Sequence, residues 1–265
     1  MDVMVGATPV KRISRCDKDD RELDRQCRNR RPRQNRQPDD YGGKVVIKPW
    51  GHEFLIFEND EVAVWFLSIK KDHATSMHCH PSKKTSLALL AGRALCNTFR
   101  RRNFLTAGDA LIIDAAVFHS TKALSLDGIA LIEIETPPAK LDLVRLHDHY
   151  GREHCGYEGC SQMVDQGLDR FGYVCFGAHD CDQRRFEMPG RWAIGMALYP
   201  TAEEFSRRFV PQPGAQYGVC RGKLVDRHRR NIVGVGELQP GALLSLVDGL
   251  TIAGETVLMD LSVFV

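Results

Sequence analysis

Several features that would each define a class of protein are missing from this sequence of 265 residues. No apolar run approaches the roughly 18–20 residues that span a membrane, so a transmembrane segment is not expected. The N-terminus lacks the charged-then-apolar layout of a secretory signal, and we therefore expect the protein in the cytoplasm. Phosphate-binding P-loops, dinucleotide-binding glycine fingerprints and nucleophile elbows are also missing, which argues against the enzyme classes that those motifs define.

Acidic residues are missing from one basic stretch near the N-terminus, although the whole chain carries a formal charge of only +2. This stretch contains Arg25, Arg28, Arg30, Arg31, Arg33 and Arg36. Residues 1–42 are polar and have few aromatic side chains, so they cannot bury enough apolar surface to offset the entropy of ordering. We predict a disordered basic tail. Its alternative role is to grip nucleic acid, but no nucleic-acid-binding module follows, so nucleic acid is not expected as a partner apart from this tail.

Helical periodicity is scarce beyond residue 42, and the best candidates, 139–147 and 202–209, are short. The chain instead contains short runs rich in Val, Ile, Leu and Phe, separated by turn-like pairs such as Asn59-Asp60. This spacing is typical of an all-β sandwich or barrel. A hydrophobic content of 43% is enough for real cores.

Two segments of the chain resemble each other. In the first, an apolar strand ends at Gly92, and a later glycine, Gly108, opens the next strand. Gly222 and Gly241 take the same places in the second segment. The pattern predicts an internal duplication. We therefore expect two β-barrels, at 43–146 and 186–265, with a linker at 147–185.

The nine cysteines do not indicate a disulfide framework, because their number is odd and a chain without an export signal normally keeps its thiols reduced. Four lie in the linker, close to His154 and His179: Cys155, Cys160, Cys175 and Cys181. Their spacing is looser than that of zinc ribbons. Two interpretations stay open, a structural zinc site and reduced cysteines packed as small apolar residues.

Three histidines form the strongest chemical pattern. His78 and His80 are two residues apart, so on a strand their side chains point to the same face. His119 follows a glycine turn and an apolar run. Three neutral imidazoles suit one divalent transition metal, such as Fe, Zn, Mn or Ni, and leave coordination positions open for water or substrate.

In order and spacing this pattern resembles the cupin superfamily of double-stranded β-helix, or jelly-roll, barrels. Its motifs read roughly G-x5-H-x-H-x3-4-E-x6-G and G-x5-P-x-G-x2-H-x3-N. His78, His80 and Gly92 match the first motif, and Gly108 and His119 match the second. The resemblance implies an all-β fold of two cupin barrels, with one metal per chain held by the three histidines.

The sequence departs from both motifs at five positions. Asp72 and Ala116 replace glycines, Asp114 replaces the proline and Ala123 replaces the final asparagine. Thr85 stands where a glutamate ligand is usual, so Thr85 marks a possible fourth position of a three-histidine centre.

The second copy lacks histidines at the matching places. Anchoring it on Gly222 and Gly241 puts Arg208 and Val210 where the histidine pair would be, and Ile252 where His119 stands. We therefore expect a degenerate second barrel without metal ligands, which is either a structural or dimerising barrel or a binding cup without metal. A homodimer is expected.

The segment 48–53, Lys-Pro-Trp-Gly-His-Glu, resembles the entry of the cupin domains of type II mannose-6-phosphate isomerases. This resemblance implies a small-molecule ligand of the sugar or sugar-phosphate class, with Trp50 as a contact or a barrel plug. Lys83, Lys84 or Lys122 would hold a phosphate.

Three functions fit these residues. The first is a metal-dependent sugar-phosphate isomerase or epimerase. The second, implied by resemblance, is a three-histidine non-haem iron dioxygenase. The third is a sugar-binding or regulatory cupin without turnover. No residue stands out in the sequence as the general base.

Overall fold

The computed structural model describes residues 10–29, 40–153, 157–177 and 180–263. In these ranges the α-helices are α1 Asp17–Asn29, α2 Ala202–Arg208 and α3 Gly241–Leu244. The strands are β1 Lys11–Ile13, β2 Val45–Lys48, β3 Gly51–Glu58, β4 Ala63–Ile69, β5 Met77–Cys79, β6 Lys84–Ala91, β7 Arg93–Thr98, β8 Arg102–Thr106, β9 Ala110–Ile113, β10 His119–Ala123, β11 Ile129–Thr136, β12 Val144–His147, β13 Met163–Val164, β14 Arg185–Met188, β15 Trp192–Tyr199, β16 Gln216–Arg221, β17 Leu224–Val225, β18 Asn231–Val233, β19 Leu238–Pro240, β20 Thr251–Ile252 and β21 Thr256–Val263.

Two sheets form the first barrel. One has eight strands in the order β1-β9-β6-β11-β4-β3-β2-β13, and the other has five in the order β12-β5-β10-β7-β8. Side chains alternate across a strand, so one face of the large sheet points inward and contributes Leu55, Leu67, Leu89 and Leu131 to an apolar core. This arrangement is a jelly roll.

The second barrel repeats the plan with fewer strands. Its sheets have the orders β14-β15-β21-β16-β19 and β18-β17-β20. Apolar side chains from both sheets and from α2 fill the space between them, among them Phe205, Tyr217, Leu224 and Leu258. The expected all-β fold of two jelly-roll barrels is confirmed.

The two barrels pack against each other through the outward face of the eight-stranded sheet. Phe54, Phe66 and Ile132 on that face share a core with Met196 and Met259 of the second barrel. Both faces of the large sheet are therefore buried, one inside its own barrel and one against its neighbour.

One expected helix is present and the other is not. Residues 202–208 form α2, and the Thr201 side chain caps this helix by accepting a hydrogen bond of 3.2 Å from the Glu204 N–H. The expectation of a helix at 139–147 is wrong, because Val144–His147 is strand β12, paired with β5. The alternation of Val144-Arg-Leu-His is a strand pattern that a helical reading overlooks.

The expectation of a disordered segment at 1–42 is corrected for residues 10–29. Here β1 pairs in parallel with β9, and α1 packs Leu23 into a small apolar cluster. The helix has aspartates in its first turn and Arg28 in its last, as the helix dipole favours. Residues 1–9 and 30–39 lie outside the described residues. Among the described residues, no helix has the length and apolar character needed to cross a membrane.

Candidate metal centre

Four motif positions of the first barrel have a left-handed backbone conformation. The matched glycines, Gly92 and Gly108, have φ angles of 84° and 95°. Asp72 and Ala116, which replace motif glycines, keep φ angles of 62° and 64°. The sequence therefore departs from the motif at these two sites, but the backbone retains the conformation that glycine adopts most easily.

His78, His80 and His119 meet inside the first barrel. His78 lies on β5, His80 follows it directly, and His119 on β10 is the antiparallel partner of His78. The ring centroids are 4.5 Å apart for His78 and His119, 4.9 Å for His78 and His80, and 5.5 Å for His80 and His119. One ligand atom from each ring lies within 4.8 Å of the others.

Hydrogen bonds fix the tautomer of all three rings. Their Nδ1 atoms lie 2.7, 2.7 and 2.9 Å from the backbone carbonyl oxygens of Ser76, Asp142 and Val117, respectively. A carbonyl can only accept, so each Nδ1 carries the proton and each Nε2 keeps its lone pair. The Nε2 of His80 is buried and has no hydrogen-bond partner among the residues that the structure describes. This donor set fits a divalent transition metal.

Burial keeps the three imidazoles neutral. It lowers the pKa of His78 and His80 well below the usual range, and it lowers the pKa of His119 to about 4. Neutral rings are the form that binds a metal ion.

The linker cysteines do not form such a group in the described part of the chain. There, the histidine triad is the one group of three or more potential ligands that is close enough for a metal. Cys160 is exposed, while Cys175 and Cys181 are partly buried. Cys155 lies outside the described residues with His154 and His179, so the zinc hypothesis for the linker stays a prediction.

A cavity of about 60 Å³ opens onto two histidines of the triad. His78, His80, Trp50 and Lys83 line it. Gly51, which follows Trp50, packs closely on β4, because a Cβ at this residue would lie only 1.9 Å from the Ser68 carbonyl oxygen. The glycine of the Pro-Trp-Gly segment is therefore a packing requirement.

Two of the expected phosphate-binding lysines do not reach this cavity. The Lys84 ammonium points towards the second barrel and lies 2.9 Å from a Glu237 carboxylate oxygen. Lys122 on β10 is also not among the residues that line the cavity. Lys83 is the one candidate of the three at the cavity wall.

Most of the charge in the cavity was not foreseen from the sequence. Five cations line it: Lys48, Lys83, Lys140, Arg145 and Arg152. Three carboxylates line it as well: Glu53, Glu133 and Glu135. The local charges are paired closely, which is how buried ions are tolerated.

Glu135 is the centre of this ion network. Its Oε1 lies 2.8 Å from Lys83 Nζ and 3.2 Å from Lys140 Nζ, and Lys140 also lies 3.1 Å from Glu53. Burial opposes ionisation of Glu135, but Lys140 and Lys83 outweigh it and lower the pKa of this carboxyl. Although burial also opposes the charge of Lys140, the carboxylates raise its pKa. Glu135 and Lys140 are therefore charged.

The pKa of Glu133 is shifted in the opposite direction from that of Glu135. It is half-buried at the cavity wall, and burial together with the neighbouring Glu135 raises its pKa to about 7. The signal in the sequence was the alternation Ile132-Glu-Ile-Glu135, which normally places glutamates in solvent. In this fold the isoleucines face the second barrel, so the glutamates face the inside of the first.

Arg145 was missed because its segment was expected to be helical. On β12 it is the antiparallel partner of His78, which places it directly beside the triad. Its guanidinium Nη2 lies 3.3 Å from Glu158, whose own pKa falls to about 2, since Lys48 and the nearby arginines outweigh the effect of burial.

Thr85, the possible fourth position, points into the barrel on the same side of β6 as Leu87. It is 1% exposed, and its Oγ1 has no hydrogen-bond partner in the described part of the chain. No carboxylate joins the three imidazoles among the described residues.

The second barrel has no matching site in the described residues. Its counterpart of Gly108 is Gly236, since both donate their N–H to a strand carbonyl, at 2.8 and 2.7 Å, and both have a positive φ. The sequence alignment on Gly241 is therefore wrong, because Gly241 begins α3. Arg208 ends a helix and Val210 is exposed, so no strand corresponds to β5.

Comparisons with known proteins find only distant likenesses. No family model and no curated protein matches the sequence. KdgF from Halomonas sp. is 14% identical with a TM-score of 0.32, over 34% of this chain and 83% of that one. A double-stranded β-helix protein from Klebsiella pneumoniae is 14% identical with a TM-score of 0.34, over 42% and 90%. An RmlC-like cupin from Shewanella frigidimarina is 20% identical with a TM-score of 0.30, over 39% and 85%.

At these values the likenesses transfer no substrate or activity. The fold is defined by the chain itself: two facing, mainly antiparallel sheets, four left-handed motif positions, and a triad of histidines on β5, its end and β10. These features define a fold of two double-stranded β-helix barrels, the second of them degenerate, as the resemblance to cupins implied.

Proposed function

We propose that the first barrel is a metal-dependent enzyme that moves protons on a small anionic metabolite of the sugar or sugar-phosphate class, as an isomerase or epimerase does. The observation that carries this proposal is Glu133, a carboxyl group with a pKa of about 7 in the cavity onto which the histidine triad opens.

The triad would hold a divalent metal through the Nε2 atoms of His78, His80 and His119. When bound, the metal supplies Lewis acidity that polarises a carbonyl or hydroxyl oxygen of a ligand. Thr85 leaves the fourth position without a carboxylate, so coordination sites stay open to the cavity.

Glu133 would be the proton carrier. A carboxyl group with a pKa near 7 exists in both protonation states at neutral pH, and this is the condition under which general acid–base catalysis is most effective. It can accept a proton from a C–H bond next to a carbonyl and return it to the neighbouring carbon. Glu135 cannot share this role because Lys83 and Lys140 keep it ionised.

The charged wall favours an anionic ligand. Lys48, Arg145 and Arg152 all form ion pairs with Glu158. Arg152 also lies 2.7 Å from the Asp148 carboxylate. These pairs nearly balance each other, so a metal dication would make the cavity positive and attract a phosphate or carboxylate.

Deuterium exchange from solvent tests this proposal. The protein, loaded in turn with Zn²⁺, Mn²⁺ and Ni²⁺, is incubated in D₂O with aldose and ketose phosphates and with free sugars, and the C–H signals are followed by NMR. We expect exchange next to the carbonyl of at least one sugar. Glu133→Gln should slow it by about 100-fold or more, whereas Glu187→Gln, on the exposed surface of the second barrel, should not.

A three-histidine iron dioxygenase is the second candidate, favoured by the lack of a carboxylate ligand among the described residues. Oxygen uptake with Fe²⁺ and an enediol substrate, without exchange in D₂O, would replace the isomerase proposal by this one. Metal and sugar binding with neither reaction would identify a binding protein.

A further inference from the structure

Helix α1 covers the back of the sheet that carries the histidines. Leu23 of this helix packs in one cluster with Cys79, Phe118 and Val144. Cys79 lies between His78 and His80, and Phe118 precedes His119. Alternate side chains of a strand point to opposite faces, so the helix contacts the outer side of the same segments whose inner side forms the triad.

Asp19 makes the most specific contact of this helix. Its side chain is 2% exposed. Oδ1 accepts the Phe118 N–H at 2.9 Å, and Oδ2 accepts the Cys16 N–H at 2.9 Å. The second bond closes the first turn of α1, as an acceptor at the third helical position often does. The first bond reaches a residue 99 positions away, next to a triad histidine.

The hydrogen bonds of Asp19 and His119 meet on one peptide group. The Phe118 N–H, which Asp19 accepts, and the Val117 carbonyl, which lies 2.9 Å from His119 Nδ1, belong to the same peptide unit. A carboxylate at the N–H end polarises this unit and makes its carbonyl a stronger acceptor. The chain of contacts runs from Asp19 through the peptide to the imidazole.

Strand β1, which precedes α1, attaches the N-terminal arm, residues 10–29, to the first barrel. The Ile13 carbonyl accepts the Asp114 N–H at 3.0 Å, and the Arg12 guanidinium lies 2.8 Å from the Asp114 carboxylate and 2.9 Å from Glu237 of the second barrel. The loop from Asp114 to His119 is therefore held at both ends by residues of the N-terminal arm.

We propose that Asp19 is a positioning residue of the histidine centre, which orients His119 and strengthens it as a ligand through the Val117–Phe118 peptide. Carboxylates that support metal-binding histidines usually contact the imidazole directly. Here one backbone peptide stands between them, and the carboxylate comes from an N-terminal arm outside the barrel. This inference rests on the metal site of the proposed function.

Binding of Zn²⁺ and Co²⁺ to the full chain tests the role of Asp19. Asp19→Asn keeps the size of the side chain but removes its charge, and we expect about 10-fold weaker binding and shifted visible absorption bands of bound Co²⁺. Asp24→Asn makes the same charge change on the exposed side of α1 and should bind like the wild type. Arg21→Gly lowers helix propensity at another exposed position and should also leave binding unchanged.

Two results would overturn the proposal. One is wild-type affinity and an unchanged Co²⁺ spectrum in both Asp19→Asn and Asp19→Ala. The other is equal weakening by Arg21→Gly, which would show that only helix stability matters. A wild type that binds neither metal would refute the proposed function instead. In that case the ¹⁵N shifts of the His119 ring in the metal-free protein test whether Asp19 acts on His119. A change in Asp19→Asn but not in Asp24→Asn supports the positioning role of Asp19, and no change refutes it.

Discussion

The two barrels share one strand plan but fill their interiors in opposite ways. Inside the first barrel, leucines occupy one part, and histidines, glutamates, lysines and arginines occupy the part that opens to the cavity. Inside the second, an apolar cluster that includes Tyr217, Val219 and Leu258 takes up the corresponding space. The same fold therefore forms a site in one copy and a core in the other.

This difference shows how the protein offsets the loss of stability that comes with a polar interior in the first barrel. Buried ion pairs such as Lys83 with Glu135 contribute little net stability, because desolvation cancels most of their attraction. The second barrel compensates by covering the outer face of the large sheet with apolar side chains. We expect the second barrel to stabilise the first through this shared apolar core.

The largest expected effect is on metal binding. His80→Ala removes a proposed ligand whose Nε2 has no hydrogen-bond partner among the described residues, and we expect metal affinity to fall by more than about 100-fold, beyond the loss typical of supporting residues. His228→Ala, at an exposed position of the second barrel, is the matched control and should keep the metal. Competition with a chromogenic chelator measures both. Unchanged affinity in His80→Ala would move the metal site elsewhere.

A cavity in the second barrel should change stability without changing the site. Leu258 is 1% exposed in the apolar cluster, so Leu258→Ala should lower the free energy of unfolding by about 2–5 kcal/mol. Urea denaturation checks this value. Metal affinity at 10–15 °C, where the variant is still folded, should stay within about twofold of the wild type, roughly 0.4 kcal/mol. A large loss of affinity would show that the second barrel takes part in the centre.

The pH dependence of stability should single out Glu133. Its pKa is raised from 4.5 to about 7 in the folded protein, so its stabilising contribution is complete below about pH 4.5 and is lost as the pH rises through 7. Glu133→Gln does not titrate. Relative to the wild type, this variant should therefore gain roughly 1–3 kcal/mol between pH 4.5 and 8.

Urea unfolding of the metal-free proteins at several pH values measures this gain. The histidine titrations are common to both proteins and cancel in the comparison. Glu187→Gln serves as the control and should run parallel to the wild type. A difference between Glu133→Gln and the wild type that does not vary with pH would show that Glu133 has an ordinary pKa.

The smallest effect concerns the replaced motif glycines. Asp72 is exposed and has a φ of 62°, so Asp72→Gly should relieve backbone strain and change the free energy of unfolding by less than about 1 kcal/mol. Gly92→Ala is the contrast, because the new Cβ would lie 2.6 Å from the Gly128 carbonyl oxygen. Thermal denaturation should show a clear loss only for Gly92→Ala. Stability changes of equal size in the two variants would mean that backbone conformation alone, and not close packing, requires glycine at position 92.

The parts of the fold and site that depend on local patterns were predictable. Alternation of side chains on a strand places His78 and His80 on one face, and glycine turns delimit the strands around them. The prediction that His119 joins these two histidines came from the resemblance to cupins. The expected dimer and cytoplasmic location stay predictions.

The remaining features depend on tertiary context that no local pattern contains. Glu133 and Glu135 look solvent-facing until the second barrel covers the other face of β11. Helix α1 is polar on nearly every side, and its docking depends on Asp19 and Leu23, whose partners lie far along the chain. Arg145 required the strand register of β12 with β5.

Anomalous X-ray diffraction from crystals soaked with Zn²⁺ or Mn²⁺ tests the contrast between the two barrels most directly. We expect one strong anomalous peak per chain, between the Nε2 atoms of His78, His80 and His119, and none inside the second barrel. A peak within the second barrel, or a strong peak elsewhere with the triad unoccupied, would contradict it.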